Sequence, residues 1–242
     1  MEKAQFHYDR GNRFKAEGRF DEAIAEYLKA IEINPNLAEA RNNLGILYKN
    51  KSQYWAAIEE YQKAVEINPN LDEAHDNLGI VYLDMHLYEK AVAAFQNAIQ
   101  INSQNPRVHN NLGVAYDKKG DYEKALKEYE KALKIDPNMG EAWYNLGVVH
   151  GLLGIFEKSI ECLKKAMNLD YIDDQTHFNM ALSYKNMGLI DEAIEEYKKA
   201  IELDPNFSEA HYNLGILYNK KGNKAEALVE LEEFVKLTGQ QI

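Results

Sequence analysis

A nine-residue motif returns every 34 positions along this chain of 242 residues. Six clear copies, each beginning 34 residues after the one before, are ARNNLGILY (40–48), AHDNLGIVY (74–82), VHNNLGVAY (108–116), AWYNLGVVH (142–150), THFNMALSY (176–184) and AHYNLGILY (210–218). A weaker copy, FHYDRGNRF, occupies 6–14. A fixed period of this length is typical of proteins that stack one small unit, because such a unit cannot bury its apolar face alone. We therefore expect a repeat protein, for which the functional question is which partner it binds.

Seven units of 34 residues fill 4–241 without insertion or deletion, and positions are counted here from the first residue of each unit. In the unit 106–139, apolar residues recur at helical spacing in two stretches. Gly120 lies between the stretches and Pro137 follows the second. Glycine readily takes the left-handed conformation that ends many helices, and proline cannot continue one. Each unit is therefore predicted to form two antiparallel helices of about 14 residues.

Glycine recurs inside the first predicted helix, at position 8. A glycine within a helix costs about 1 kcal/mol relative to alanine, so its repetition predicts a helix crossing too close for a side chain. The six glycines are Gly11, Gly45, Gly79, Gly113, Gly147 and Gly215.

The composition is acidic, with 28 Lys and Arg against 39 Asp and Glu and a net charge of −11. An acidic surface repels phosphates, so we expect no nucleic-acid partner, whereas a basic partner would be attracted. No apolar run approaches the roughly 20 residues that span a bilayer, and the N-terminus lacks a signal-peptide pattern. We therefore expect a cytoplasmic protein without membrane insertion. A single cysteine, Cys162, excludes an intramolecular disulfide and fits a reducing compartment.

The repeated pattern resembles the tetratricopeptide repeat (TPR) family along essentially the whole chain. The residues that carry the resemblance are Trp143-x2-Leu146-Gly147, Tyr116, Ala125, Tyr129, Ala132 and Pro137. The resemblance implies an all-α fold, a right-handed superhelical α-solenoid of seven antiparallel helix-turn-helix units. It implies a single domain over 4–241, with repeats 4–37, 38–71, 72–105, 106–139, 140–173, 174–207 and 208–241. It also implies a concave groove, lined by the first helices, in which a peptide or protein binds.

Asparagine recurs at position 6, which the resemblance assigns to the groove. Asparagine is a mediocre helix former, so helix propensity does not explain six copies. The amides could bind the backbone of an extended peptide, because each offers a donor and an acceptor. Alternatively they could bond between adjacent repeats, or repeat only because the sequence was duplicated. The six residues are Asn43, Asn77, Asn111, Asn145, Asn179 and Asn213.

Position 5 divides the predicted groove into two zones. It is polar in repeats 2–4, as Asn42, Asp76 and Asn110, and aromatic in repeats 5–7. Apolar side chains beside amides are the mixture found at binding hot spots, so we predict that the second zone contacts the partner. The alternative is that the rings pack sideways on the next repeat. The predicted contact residues are Tyr144, Phe178, Tyr212, Val148, Leu152 and Leu182.

The repeat 140–173 departs most from the others, with His150 in place of Tyr or Phe and Gly151-Leu152-Leu153 in a usually polar stretch. Trp55, at a position where a charged residue is usual, is either an exposed anchor or folded onto Tyr54 or a neighbouring helix.

Five histidines occupy position 4, one in each of five repeats. A metal ion needs three or four ligands around it, so one ligand per repeat does not predict a metal site, and we expect no cofactor. Cys162 has no activating partner in the sequence, and no catalytic motif is present, so we expect no enzyme activity. The histidines are His7, His75, His109, His177 and His211.

These observations predict a non-catalytic scaffold that binds a protein segment in the groove. Two alternatives remain open. The repeats could recruit substrates for a larger enzyme, as they precede glycosyltransferase domains in some relatives. They could also self-associate through the ends, with the groove of one copy receiving the end of another. The last helix favours such contacts, because it keeps Leu231, Phe234 and Leu237.

Overall fold

The computed structural model describes residues 2–240, and within them it contains fourteen α-helices and no β-strand. The chain divides into two compact units, Met1–Ile135 (unit 1) and Asp136–Ile242 (unit 2). None of the helices described is long and apolar enough to cross a membrane.

Unit 1 contains eight helices within its described residues. They are α1 (Glu2–Ala16), α2 (Phe20–Ile33), α3 (Ala38–Asn50), α4 (Tyr54–Ile67), α5 (Asp72–Asp84), α6 (Tyr88–Ile101), α7 (Pro106–Lys118) and α8 (Tyr122–Ile135). Unit 2 contains α9 (Gly140–Leu152), α10 (Phe156–Met167), α11 (Asp174–Asn186), α12 (Ile190–Leu203), α13 (Ser208–Lys221) and α14 (Lys224–Thr238).

Consecutive helices pack as antiparallel pairs, one pair for each 34-residue repeat. In unit 1, the second helix of a pair also packs on the first helix of the next, as α2 does on α3 and α4 on α5. The same arrangement joins α10 to α11 and α12 to α13 in unit 2. The predicted all-α fold of seven helix-turn-helix repeats is therefore confirmed. The single domain over 4–241 stays a prediction, and residue 241 lies outside the described residues.

The turn within each pair has a left-handed residue at position 15. Gly120 has a φ of 80° there, as the sequence predicts. Ser52 and His86 take the same conformation, with φ values of 59° and 58°. An L-residue in this conformation costs roughly 1 kcal/mol, so the fold imposes the turn even where glycine is absent.

The close helix crossing predicted at position 8 is confirmed. A Cβ atom added to Gly113 would lie only 2.5 Å from Cε1 of Tyr129. Tyr129 is fully buried at position 24, so the ring of the second helix occupies the space that a side chain at position 8 would need. Equivalent contacts join Gly11 to Tyr27, Gly45 to Tyr61, Gly79 to Phe95, Gly147 to Leu163 and Gly215 to Leu231.

Candidate functional site

The side-chain amides at position 6 connect adjacent repeats. In unit 1, Nδ2 of Asn77 donates to Oδ1 of Asn42 at 3.0 Å, and Nδ2 of Asn111 donates to Oδ1 of Asp76 at 3.2 Å. In unit 2, Nδ2 of Asn179 donates to the hydroxyl of Tyr144 at 3.3 Å. Each acceptor is the position-5 residue of the preceding repeat. These bonds support the explanation of the recurring asparagines as contacts between repeats.

Two of the asparagines also accept a hydrogen bond from a lysine of the preceding repeat. Nζ of Lys15 donates to Oδ1 of Asn43 at 2.9 Å, and Nζ of Lys185 donates to Oδ1 of Asn213 at 2.7 Å. Burial lowers the pKa of both lysines, and the nearby charge of Glu73 opposes this effect at Lys15. Both lysine charges lie on the surface of the first helices, beside the amides.

Position 5 is buried in repeats 2–4 of unit 1, where Asn42, Asp76 and Asn110 are inaccessible, whereas Tyr8 in repeat 1 is half-buried. Asp76 accepts a hydrogen bond from Arg107 at 2.7 Å as well as the one from Asn111. Burial is the strongest influence on this carboxyl group, and it raises the pKa of Asp76 despite both donors. The polar zone of the predicted groove is therefore an internal network and offers little side-chain surface to a partner.

The aromatic residues at position 5 of unit 2 are accessible to different extents. The Tyr144 ring lies 5.3 Å from that of Tyr171, and burial raises its pKa to about 12. The Phe178 ring lies 4.7 Å from that of Phe207. Both are half-buried, and these ring partners lie in their own repeats, whereas the alternative interpretation expected packing on the next repeat. Tyr212 is 41% exposed, although its ring lies 5.1 Å from that of Phe234.

Four residues predicted to contact a partner lie around one cavity in unit 2. Val148, Leu152, Asn179 and Leu182 line a space of about 330 Å³ between α9, α10 and α11. The cavity is also lined by Gly151, Phe156, Ser159 and Ser183, which the sequence did not identify as site residues. Asn145 is half-buried in α9. The first helices of the repeats in unit 2 thus provide a cavity and two exposed side chains, Leu152 and Tyr212.

The histidines at position 4 have a structural role that sequence reasoning did not find. Nδ1 of His109 lies 2.7 Å from a carboxylate oxygen of Glu128, and its Nε2 lies 3.2 Å from the main-chain oxygen of Ser103. Burial raises the pKa of Glu128, but contacts with His109 and Lys131 outweigh it and keep that pKa below its usual value. The same 19-residue pairing joins His7 to Glu26, His177 to Glu196 and His211 to Glu230.

The sequence contained a signal for this pairing, because four of the five histidines at position 4 have a glutamate 19 residues later. The exception is His75, which has Ala94 at the paired position, and the repeat with Trp143 has Cys162 there. Within residues 2–240, no group of His, Cys, Asp or Glu is arranged to hold a metal ion. Trp55 is 68% exposed on the second helix α4, so it does not fold onto its neighbours.

Comparison with known proteins identifies the family. A family model described as "TPR repeat" matches residues 11–52, 48–85, 88–120 and 187–222, which is more than half of the chain. Models described as "Tetratricopeptide repeat" match residues 106–139, 140–173 and 208–241. No match was found among curated protein sequences.

Solved structures share the fold. A crystal structure of MamA is 29% identical, with a TM-score of 0.63, and the match covers 66% of this chain and 94% of that one. A structure of Pseudomonas aeruginosa pilF is 20% identical, with a TM-score of 0.74, and the match covers 84% and 93% of the two chains. A tetratricopeptide repeat protein from Parabacteroides merdae is 15% identical, with a TM-score of 0.74 over 98% and 94%. The chain therefore belongs to the tetratricopeptide repeat family.

Proposed function

We propose that this protein is an interaction scaffold that binds an extended segment of a partner protein on the first helices of unit 2. The observation that carries the proposal is the exposure of large apolar side chains on those helices, beside polar amides. Leu152 is 60% exposed and Tyr212 is 41% exposed. Such side chains are the usual anchors of protein interfaces. We call this surface, formed by Tyr144, Val148, Leu152, Phe178, Asn179, Leu182, Tyr212 and Asn213, the unit 2 recognition surface.

The amides of this surface would contribute through their oxygen atoms. Nδ2 of Asn179 already donates to Tyr144 and to the main-chain oxygen of Gln175, at 3.3 and 2.9 Å. Oδ1 is then the atom that would accept an N–H group from the backbone of a bound segment. Asn145, also in unit 2, would extend such contacts, and Asn43, Asn77 and Asn111 would make similar contacts on unit 1. The net charge of −11 favours partners with basic residues near the bound segment.

A peptide selection would test the proposal. Random peptides displayed on phage are selected on the immobilised protein, and the affinity of the selected peptides is measured by fluorescence anisotropy. We expect Leu152→Gln and Tyr212→Asn each to weaken binding by about tenfold, as loss of an interface anchor does. The matched control is Leu228→Gln, because Leu228 is 58% exposed on the second helix α14.

The result that would overturn the proposal is equal binding by the wild type, Leu152→Gln and Tyr212→Asn proteins, with circular dichroism showing that all three are folded. Selection of no peptide at all would also contradict it. Loss of binding in the Leu228 control alone would move the site to α14.

Self-association is a second candidate function, supported by the outer face of α14. Leu228 occupies position 21, where Ile58 and Ile194 are buried and Ile194 packs in a core cluster with residues of the following repeat. Val229 beside it is 62% exposed. In the first repeat, Arg10 occupies a position that holds a buried Leu or Met in later repeats, and Arg13 one that holds a buried Leu, Val, Ala or Ser. Charged residues thus cover the first repeat, whereas the last keeps an apolar face that a second copy would cover.

Light scattering after size-exclusion chromatography would test this second candidate. We expect a mass that rises with concentration for the wild type and stays that of a monomer for Leu228→Gln with Val229→Gln. A monomeric wild type throughout the accessible concentration range would exclude it.

A further inference from the structure

The cavity in unit 2 exists because the fifth repeat lacks a side chain at position 12. Gly151 takes this position in α9, and every other repeat has a side chain there. Those residues are Lys15, Lys49, Leu83, Asp117, Lys185 and Asn219. A Cβ atom added to Gly151 would lie 3.2 Å from Oγ of Ser159 and 3.6 Å from Oγ of Ser183. A side chain at 151 would therefore enter the floor of the cavity.

The floor itself is a pair of buried hydroxyl groups. Oγ of Ser183 lies 3.0 Å from Oγ of Ser159 and 3.1 Å from the main-chain oxygen of Asn179. Two protons can satisfy both contacts when Ser159 donates to Ser183 and Ser183 donates to Asn179. Since the hydroxyl groups already bond each other, an apolar group can cover them without leaving a donor unpaired.

The residues that form the walls of the cavity also favour an apolar occupant. Val148, Leu152, Leu182 and Phe156 supply apolar surface, and none of the described residues that line the cavity is charged. An ammonium, guanidinium or carboxylate group inside would lose its hydration without gaining a counter-charge. The cavity thus selects against charged side chains. A volume of about 330 Å³ is ample for one large aliphatic or aromatic side chain.

We propose that this cavity, bounded by Gly151, Ser159 and Ser183, is a pocket for one large apolar side chain, such as leucine or phenylalanine, of a bound partner segment. This inference rests on the proposed function and specifies the residue that anchors the segment. It assigns the serine pair as the floor of the pocket and Gly151 as the residue that keeps it open.

Capped amino acids test the pocket without requiring a partner protein. Methyl-labelled protein is titrated with the N-acetyl N-methylamides of leucine, phenylalanine, alanine and lysine, and NMR signals of Val148, Leu152 and Leu182 are followed. We expect the leucine and phenylalanine probes to shift these signals with millimolar affinity, the range for ligands of this size. The alanine and lysine probes should bind at least about tenfold more weakly.

Gly151→Met is the decisive variant, because it fills the pocket from a helical position where methionine has the better helix propensity. It should lower the affinity for the leucine probe by about tenfold or more. Gly151→Ala adds one methyl group and provides a second test if the larger side chain disturbs folding; it should weaken the probe by a smaller factor. Lys158→Met is the matched control, since it adds the same side chain at an exposed position of α10 that does not line the cavity, and it should keep binding.

The pocket is disproved if the leucine probe leaves the three methyl signals unmoved, or moves them equally in the wild type and Gly151→Met proteins. Its failure is distinguishable from failure of the proposed function. Selected peptides that bind the wild type and Gly151→Met equally would preserve the recognition surface and remove the pocket. Probe binding without any selected peptide would preserve the pocket and remove the larger function.

Discussion

Repeat 4 in unit 1 and repeat 6 in unit 2 use the same asparagine at position 6 against different neighbours. In unit 1, Asn111 donates to the buried carboxylate of Asp76, whereas in unit 2 Asn179 donates to the phenol of Tyr144. The amide contact between repeats is common to both. What differs is the accessible surface beside the amide, because a short polar residue at position 5 is buried whereas an aromatic ring stays partly exposed. A recurring polar residue can thus stabilise the contact between repeats, while the residue next to it determines whether the surface there is polar or aromatic.

The largest difference between the units should appear at position 8. Gly113→Ala places a methyl group against the flat, fully buried ring of Tyr129, whereas Gly147→Ala meets Cγ of Leu163 at 2.9 Å. We expect Gly113→Ala to lower the unfolding free energy by about 2 kcal/mol, the range for overpacked cores. Gly147→Ala should cost about 1 kcal/mol, since Leu163 can change rotamer more easily than the buried ring, although the main-chain oxygen of Ser159 also lies 3.1 Å from the added methyl group. Urea unfolding measures both, and equal losses would contradict the comparison.

The amide contacts should differ next. Asn111→Ala removes a bond to a buried carboxylate, and Asn179→Ala removes a bond of similar length to a neutral phenol, together with one to the main-chain oxygen of Gln175. We expect losses of about 2 and about 1 kcal/mol, because hydrogen bonds to charged groups are the stronger ones. Double-mutant cycles with Asp76→Asn and Tyr144→Phe isolate each pair. A larger coupling energy for the Asn179–Tyr144 pair than for the Asn111–Asp76 pair would contradict this expectation.

A dependence on pH should distinguish the same two contacts. The pKa of Asp76 is raised in the folded protein, so the folded state binds its proton more tightly than the unfolded state does. The contribution of Asp76 is therefore fully present below its unfolded pKa and is lost as pH rises through the folded pKa. We expect the stability of the wild type relative to Asp76→Asn to fall as the pH is raised from about 4, the ordinary pKa of an aspartate, to neutral pH.

Tyr144 supplies the matched comparison, because its pKa of about 12 keeps it protonated throughout that range. The difference between the wild type and Tyr144→Phe should stay constant. Unfolding midpoints measured across the range check both variants, and a flat profile for Asp76→Asn would refute the expected dependence.

The smallest effects should come from the buried tyrosines at position 24. The hydroxyls of Tyr61 and Tyr197 are buried without a hydrogen-bond partner among the described residues, whereas that of Tyr27 donates to Asn12 at 2.7 Å. We expect Tyr61→Phe and Tyr197→Phe to leave stability unchanged or slightly higher, as Phe95 occupies the same position. Tyr27→Phe should cost about 1 kcal/mol. Thermal unfolding compares the three, and a similar loss in all would show that each hydroxyl is bonded.

Much of the fold was predictable from the sequence, because its causes are local and repeated. The period gives the helix pairs, Gly120 marks the left-handed turn, and Gly113 marks the close crossing. The left-handed conformations of Ser52 and His86 were not predictable, because they follow from a turn that the packed helices impose. Propensity alone does not place such residues there.

The candidate site was less predictable, since accessibility depends on what neighbouring repeats cover. The sequence identified Leu152 and Tyr212, which are exposed, but equally Tyr144 and Phe178, which pack against rings of their own repeats. The cavity could not be predicted from the sequence, although Gly151 already departed from the usual pattern. Absence of a side chain in one helix becomes a space only when the facing helices fail to fill it.

The histidine and glutamate pairing has a consequence for how such a chain can be cut, duplicated or recombined. A break between positions 34 and 1 keeps His109 and Glu128 on one fragment, whereas a break in the turn at position 15 separates them. The other ring nitrogen, Nε2, needs only a main-chain oxygen from the preceding repeat. Pro69 supplies it for His75, and Pro205 supplies it for His211. A 34-residue module with this pair thus carries the side-chain contact between its own two helices and attaches to the preceding module through the backbone. Shuffling whole modules should therefore be tolerated far better than exchanging single helices.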